Sequence, residues 1–452
     1  MVFLKAPMNV SFSPVAKKMR DAGLSEAAVA AFERSFGLLA ANESGLIPES
    51  AIAPARDIPR YEDVADTPAD ESLLAKAVML KLNGGLGTSM GLEKAKSLLP
   101  VRDGRTFLDL IVRQVLSVRR KTGADLRFLL MNSFSTSADT LAHLARYPEL
   151  GPPEDLELMQ NKVPKIDAAT LAPVEWPADP DLEWCPPGHG DLYPAILGSG
   201  LLDRLLDGGF LYLFVSNSDN LGATLDPKLL KWFADSGRPF VMEVTARTAA
   251  DRKGGHLAVR ASDGRLLLRE SAQCPDGDMD AFQDIERHRF FNTNNLWLRL
   301  DALKAELEKN GGLMPLPVIR NKKTVDPRDK KSPPVYQLET AMGAAVECFA
   351  GAGAVAVPRT RFAPVKTTAD LLALRSDAYV ITDDGRAELA PERNGVPPEI
   401  VLDNDHFKLV DQLDAALAGG VPSLLHCRRL EVHGPVKFSS SDRFEGDVVI
   451  GE

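Results

Sequence analysis

The run KLNGGLGTSMG at residues 81–91 carries residue types that bind phosphate. Val78 to Leu82 form a short apolar strand candidate, and glycines follow at 84, 85, 87 and 91. Glycines clustered after a strand let the backbone approach a ligand and turn its N–H groups toward phosphate oxygens. Lys94 and Lys96 follow within reach of such a loop. These residues point to a nucleotide phosphate site, although neither common glycine fingerprint fits. The spacing Gly85-x-Gly87-x-x-x-Gly91 is one residue longer than the dinucleotide loop, and Met90 and Ala95 stand where a Walker A loop ending at Lys96-Ser97 needs glycine. Taken alone, the run also reads as a tight structural turn.

Other residues add chemistry of the same kind. Asp219 lies in VSNSDN, directly after a strand candidate at 210–215. A carboxylate there is placed to hold Mg²⁺ between phosphates, because Mg²⁺ takes few protein carboxylates and completes its shell with phosphate oxygens and water. An Asx-turn at the strand end is the competing reading. His189 in PPGHGD is flanked by glycines, which core packing explains poorly.

The elements that must position these residues alternate. Strand candidates are Val78–Leu82, Leu126–Met131, Phe210–Val215, Phe240–Thr245, Leu296–Leu300 and Ala354–Val357. Helical candidates are 107–121, 136–146, 226–236, 300–309 and 337–349, with Thr106 and Asp109 as an N-terminal cap and Gly123 as a stop for the first. This alternation predicts an α/β sheet of largely parallel strands with ligands at their carboxyl ends. A helical pattern over 16–40 and a Pro/Asp/Glu-rich loop over 47–72 precede it. After the turn-rich segment 383–398, Val436, Phe438, Phe444, Val448 and Ile450 alternate with polar residues, as in short strands of a small β domain. The expected division is 1–72 for the N-terminal helical segment and linker, 73–382 for the α/β core, and 383–452 for the β-helix-like end.

Bulk properties set limits. At 452 residues the chain exceeds one ordinary core. Its formal charge of −10 argues against a general nucleic-acid binder, and no stretch approaches the roughly 18 apolar residues of a membrane span. The start, MVFLKAPMNVSFSPVAKKM, lacks the pattern of a secretory leader. Cys185, Cys274, Cys348 and Cys427 are far apart and show no metal-ligand spacing, which suits reduced thiols and a cytoplasmic protein.

Six motifs in order then agree with one family. They are KLNGGLGTSMG with KSLLPVRDGRTFLDLIV, QNKVPKI, WCPPGHGDLYPAI, FVSNSDNLGAT, FFNTNNLWL and VPRTRFAPVKTTADLL, within a similarity that runs from about residue 75 to 446. On them the chain resembles the eukaryotic-type UTP–glucose-1-phosphate uridylyltransferases (UDP-glucose pyrophosphorylases). The resemblance implies a nucleotidyltransferase A-like (Rossmann-like) mixed sheet flanked by helices, followed by a C-terminal left-handed β-helix. It implies reversible, Mg²⁺-dependent conversion of UTP and glucose 1-phosphate to UDP-glucose and pyrophosphate. Such a reaction needs two polyanions positioned and developing charge neutralised, with no protein nucleophile.

Roles follow from the same resemblance. Lys96, Lys366 and Asp219 are the expected catalytic residues, Asp219 as metal ligand. Leu82, Asn83, Gly84 and Gly85 join them in binding nucleotide, and Gln160 and Gly188 match the uracil-reading positions. His189, Asn217, Glu270, Asn292 and Asn294 match the sugar-binding region. Many relatives have Pro before the first lysine, where Ala95 stands here. A UDP-N-acetylhexosamine or broad-specificity sugar-1-phosphate uridylyltransferase is the nearest alternative. The first of these usually carries a loop more like GGQGTRLG, which Leu86 and Ser89-Met90 do not match. A catalytically silent nucleotide-sugar-binding protein is expected to lack Lys96, Asp219 or Lys366, and all three are present. The short stretch after Gly446 suits a monomer or small homo-oligomer.

Overall fold

Continuous apolar runs become buried strands. Phe240–Ala246 is buried along all but its last residue, as a strand covered on both faces must be. A computed structural model describes residues 10–451, so the apolar start at 1–9 lies outside the described residues. The chain forms two compact units that interleave in sequence, one of residues up to 78, 158–215 and 228–356, the other of 79–157, 216–227 and 357 onward. Each draws on more than one of the segments 1–72, 73–382 and 383–452.

In the first unit the strand Phe290–Arg299 is central. Tyr212 to Val215 pair antiparallel with Arg299 to Leu296, and Phe240–Ala246 pairs antiparallel with the same strand. Gly353–Ala356 runs parallel to Phe240–Ala246. The hairpin His256–Arg260 with Leu266–Arg269 carries Ile52–Pro54 on its edge. The expectation of largely parallel strands therefore fails here: the sheet is mixed, and most of these pairs are antiparallel. A hairpin joins neighbouring strands through a short turn, whereas a parallel pair needs a long crossover.

The pattern over 16–40 is two helices, Ser13–Asp21 and Glu26–Ala40, because Gly23 turns left-handed (φ 77°) between them. Ser25 caps the second by accepting from Ala28 N–H at 3.2 Å. Val15, Met19, Val29, Phe32 and Phe36 bury one face against Val163, Ile166, Cys185 and Leu338. The helix expected at 337–349 is absent. Pro334–Thr340 is a strand paired antiparallel with Val318–Thr324, and Met342–Glu347 is a short 3-10 turn. Leu338, Met342 and Val346 mimic a helical stripe, but the alternation of Val335, Gln337 and Glu339 with Tyr336 and Leu338 suits a strand with a ready partner, and pairing decides it.

In the second unit, Ala77–Asn83 and Arg127–Asn132 are hydrogen-bonded neighbours. The helix Phe107–Thr122 has the expected ends. Thr106 Oγ1 accepts from Asp109 N at 3.1 Å while Asp109 Oδ2 accepts from Thr106 N at 2.7 Å. Gly123 stops it at φ 69°, donating to Arg119 O. Near the C-terminus, Glu399–Leu402, Ser423–His433 and Arg443–Gly451 form a three-stranded parallel sheet. Phe444, Val448 and Ile450 lie in its last strand, but Val436 and Phe438 fall in the loop before it, where the buried Phe438 donates its N–H to Ala416 O. Among the described residues no helix is long and apolar enough to cross a membrane.

Candidate active site

The glycine loop, two lysines and an acid meet in the second unit. The strand Ala77–Asn83 delivers the loop, and Asn83 is held beneath it by its Nδ2 donating to Asn132 Oδ1 (2.7 Å) and Thr140 Oγ1 (3.0 Å). Ser133 Oγ donates to Gly84 O at 2.8 Å, Lys96 N donates to Gly85 O at 3.1 Å, and Ser218 N donates to Leu82 O at 3.1 Å. Left-handed turns at Gly87 and Gly91 fold the loop back, so that Lys96 Nζ lies 2.7 Å from Asp219 Oδ2. Both side chains are 16% exposed. Asp219 Oδ1 is buried and has no hydrogen-bond partner among the described residues. Asn217 ends the strand Tyr212–Asn217, two residues before Asp219. Lys94 stands exposed.

Lys366 reaches this place from a distant segment. Val365 N donates to Asp219 O at 3.2 Å, Pro364 bridges to Asn220, and Asn220 is clasped further by Ala363 N and Arg361 O, each at 3.1 Å. The Lys366 side chain is exposed, with Nζ 5.9 Å from the centre of the Phe362 ring. Its own loop is fixed by Asp370, which accepts from the N–H groups of Lys366 and Thr367.

In the first unit a second group forms around the segment Thr340–Gly343. Gln160 Nε2 donates to Gly188 O at 2.9 Å, and Asn161 holds the Asp191 carboxyl through N–H at 2.7 Å and Nδ2 at 3.0 Å. Burial pushes Asp191 up to about 7 against those hydrogen bonds. Gly188 has φ 79°, and a Cβ there would lie 2.5 Å from Thr340 O, so no side chain fits. Thr340 N donates to Pro187 O, and Met342 N donates to His189 Nδ1 at 3.0 Å. Desolvation holds His189 down at about 4, so its imidazole is neutral near pH 7.

The remaining expected residues lie around the same segment. A Cβ on Gly343 would sit 3.1 Å from Asn292 Nδ2. Asn292 N donates to Gly255 O, and a Cβ on Gly255 would meet the Glu270 carboxylate at 2.5 to 2.7 Å. Asn292 and Asn294 brace one another: Nδ2 of the first donates to Oδ1 of the second, and the N–H of the second donates to Oδ1 of the first, both at 2.9 Å. They sit at a bulge. The ladder with Phe240–Ala246 steps from Glu243↔Asn295 to Val244↔Asn292, leaving Thr293 and Asn294 over, with Asn294 left-handed at φ 59°.

A family model described as UTP–glucose-1-phosphate uridylyltransferase matches residues 30–443. The chain belongs to this family. The uridylyltransferase of Saccharomyces cerevisiae is 42% identical over 395 residues, covering 87% of this chain and 77% of that protein. That of Solanum tuberosum is 41% identical over 395 residues, 87% of this chain and 80% of the relative. Among solved structures, a single-site mutant of UDP-glucose pyrophosphorylase from Leishmania major in complex with UDP-glucose superposes with a TM-score of 0.92 at 49% identity, over 98% of this chain and 95% of that one. A Trypanosoma brucei UDP-glucose phosphorylase gives 0.90 at 49% identity, over 97% and 94%.

The uridylyltransferase motifs name Leu82 to Gly85, Lys96, Asn217, Asp219 and Lys366 in one unit, and Gln160, Gly188, His189, Glu270, Asn292 and Asn294 in the other. They do not name Thr340 or Met342, whose N–H groups hold Pro187 O and His189 Nδ1, nor Gly343, which lies close to Asn292. Ala95 departs from the proline of many relatives, yet its φ of −51° and ψ of 130° are open to proline. Ala95→Pro should raise stability by about 0.4–1 kcal/mol by restricting the unfolded chain, without loss of turnover, which urea unfolding and a rate assay would check.

Proposed function

We infer that the chain transfers a uridylyl group from UTP to glucose 1-phosphate, giving UDP-glucose and pyrophosphate, and runs the reaction in both directions. The observation that carries this reading is the meeting of the glycine loop, Lys96, Asp219 and the Val365–Lys366 segment in a chain of this family. A phosphate oxygen of the sugar phosphate attacks the α-phosphorus of UTP in line, and pyrophosphate leaves. Lys96 and the loop N–H groups hold the triphosphate, and Lys366 neutralises charge between the attacking and leaving oxygens.

The chemistry of Asp219 suits magnesium. Its buried, unpartnered Oδ1 is a hard oxygen donor, and Mg²⁺ needs only one or two carboxylates when phosphates supply other ligands. When bound, the ion would neutralise phosphate charge. Asp219 itself holds one oxygen toward that place and the other on Lys96.

Gln160 and Gly188 read uracil. Nε2 of Gln160 is committed to Gly188 O, so Oε1 accepts from uracil N3–H, and CTP presents no donor there. Gln160→Ala should weaken UTP use and narrow the preference for UTP over CTP, because leaving buried polar groups unpaired is what rejects the wrong base. Unchanged discrimination between the two nucleotides in competition kinetics would place base reading elsewhere. His189, with Nδ1 accepting from Met342 N–H, can only donate from Nε2, so it contacts the sugar phosphate as a donor and is no general base. Glu270, Asn292 and Asn294 meet the glucose hydroxyls, which both donate and accept.

We further propose that the C-terminal strands stack as coils of a left-handed β-helix, although the first pair, Ile400↔Leu430, steps 30 residues. Leu430↔Val448 and Val432↔Ile450 each step 18 residues, three sides of six. The four cysteines are free thiols, which supports action in the reducing cytoplasm. The deciding assay is pyrophosphate release with UTP, Mg²⁺ and a panel of sugar 1-phosphates. Glucose 1-phosphate should be the fastest, and a faster rate with N-acetylglucosamine 1-phosphate would overturn the substrate.

A further inference from the structure

A neutral imidazole can carry its proton on either ring nitrogen, and the choice decides whether the atom facing a ligand donates or accepts. Here the choice is made by a neighbour of His189 in space. Met342 opens the 3-10 turn Met342–Glu347, and the first N–H groups of a helical turn have no acceptor inside it. The Met342 N–H takes His189 Nδ1 at 3.0 Å, so Nδ1 must be the unprotonated nitrogen. The direction of that N–H depends on how the turn sits. Tyr193, fully buried on the helix Leu192–Gly198, donates its hydroxyl to Met342 O at 2.8 Å. Thr340, two residues earlier, is tied to Pro187 O and packed against Gly188 where no Cβ fits.

We propose that Tyr193 is a positioning residue for this reaction: by anchoring Met342 it aims the Met342 N–H at His189 Nδ1 and so keeps His189 as an Nε2–H donor toward the sugar phosphate. The proposal rests on the reading of His189 given above. Nothing about Tyr193 itself touches substrate. Its hydroxyl is buried and points at a backbone carbonyl, so its effect is transmitted through the Met342 Cα, which joins the two peptide planes, and one ring.

The test uses full-length protein labelled with ¹⁵N-histidine, His189 being assigned by the signals lost in His189→Ala. Wild type should show a protonated Nε2 and an unprotonated Nδ1 at His189. In Tyr193→Phe, which keeps the ring in the core, both tautomers should appear. The KM for glucose 1-phosphate should rise roughly tenfold, the scale of one lost hydrogen bond, while the UTP Kd stays within about twofold. In a His189→Ala background Tyr193→Phe should change the UDP-glucose Kd by less than about twofold, because residues acting through one another are not additive. An Nδ1–H tautomer in wild type overturns the proposal, and that spectrum needs no variant to fold. So do fully additive effects, or a Tyr193→Phe loss that falls on UTP alone. If wild type releases no pyrophosphate with glucose 1-phosphate, the activity reading fails by itself and the spectrum still decides the tautomer.

Discussion

Asp219→Asn is expected to lower kcat by about 10²-fold or more, the scale seen when a preorganised electrostatic group is lost. The substitution keeps the shape of the side chain and an oxygen for Lys96 Nζ, now 2.7 Å from Oδ2, but removes the charge. Asp219 sits at the end of a strand, and its backbone carbonyl continues to hold Val365 N–H, so the segment bearing Lys366 keeps its place. Melting temperature should therefore change little while turnover collapses. Steady-state kinetics beside a thermal melt would check it, and a fully active Asp219→Asn enzyme would remove Asp219 from the mechanism.

Lys366→Ala should lower kcat strongly with only a modest change in the UTP Kd, whereas Lys96→Ala should damage both. The difference follows from where each lysine comes from. Lys96 is built into the glycine loop, its N–H on Gly85 O and its side chain against Gly87, which suits its proposed role of holding the triphosphate before reaction. Lys366 arrives on a segment held by Asp219 and Asn220, with its side chain exposed. A charge that meets developing negative charge contributes mainly in the transition state, and its loss appears in turnover more than in binding. Titration calorimetry with UTP beside kinetics separates the two. Wild-type kinetics in Lys366→Ala would mean that its loop is structural only.

What the sequence made legible was mostly local. The Thr106–Asp109 box and the Gly123 stop involve residues three or four apart, and their hydrogen bonds lie where the letters suggest. Lys96 and Asp219 are 123 residues apart, and no local rule joins them; only the ordered motifs of the family did so. The expected helix at 337–349 failed because a strand partner at Val318–Thr324 outweighed an apolar spacing of four. That error concealed Met342, whose N–H holds His189 Nδ1, and Thr340, whose N–H holds Pro187 O. The bulge at Thr293–Asn294 was equally hidden, since the expected strand Leu296–Leu300 begins six residues early, at Phe290, and only the facing strand shows which two residues are left over.

The ion pair between Lys96 and Asp219 has a consequence for how the site fills. Each group already has a counter-ion, so neither waits as a bare charge in an acidic protein. A triphosphate that takes Lys96 draws it away from Asp219 Oδ2, whereas a cation takes the unpartnered Oδ1 and can leave Lys96 in place. Nucleotide alone leaves the Asp219 carboxylate without its mate, and a bound ion supplies the missing positive charge. Nucleotide and divalent ion should thus bind with positive linkage, each tightening the other by the same factor, on the order of 5- to 150-fold for typical couplings. The free protein would then hold the ion weakly and acquire it with its nucleotide, as calorimetric titrations of each in the presence and absence of the other would register.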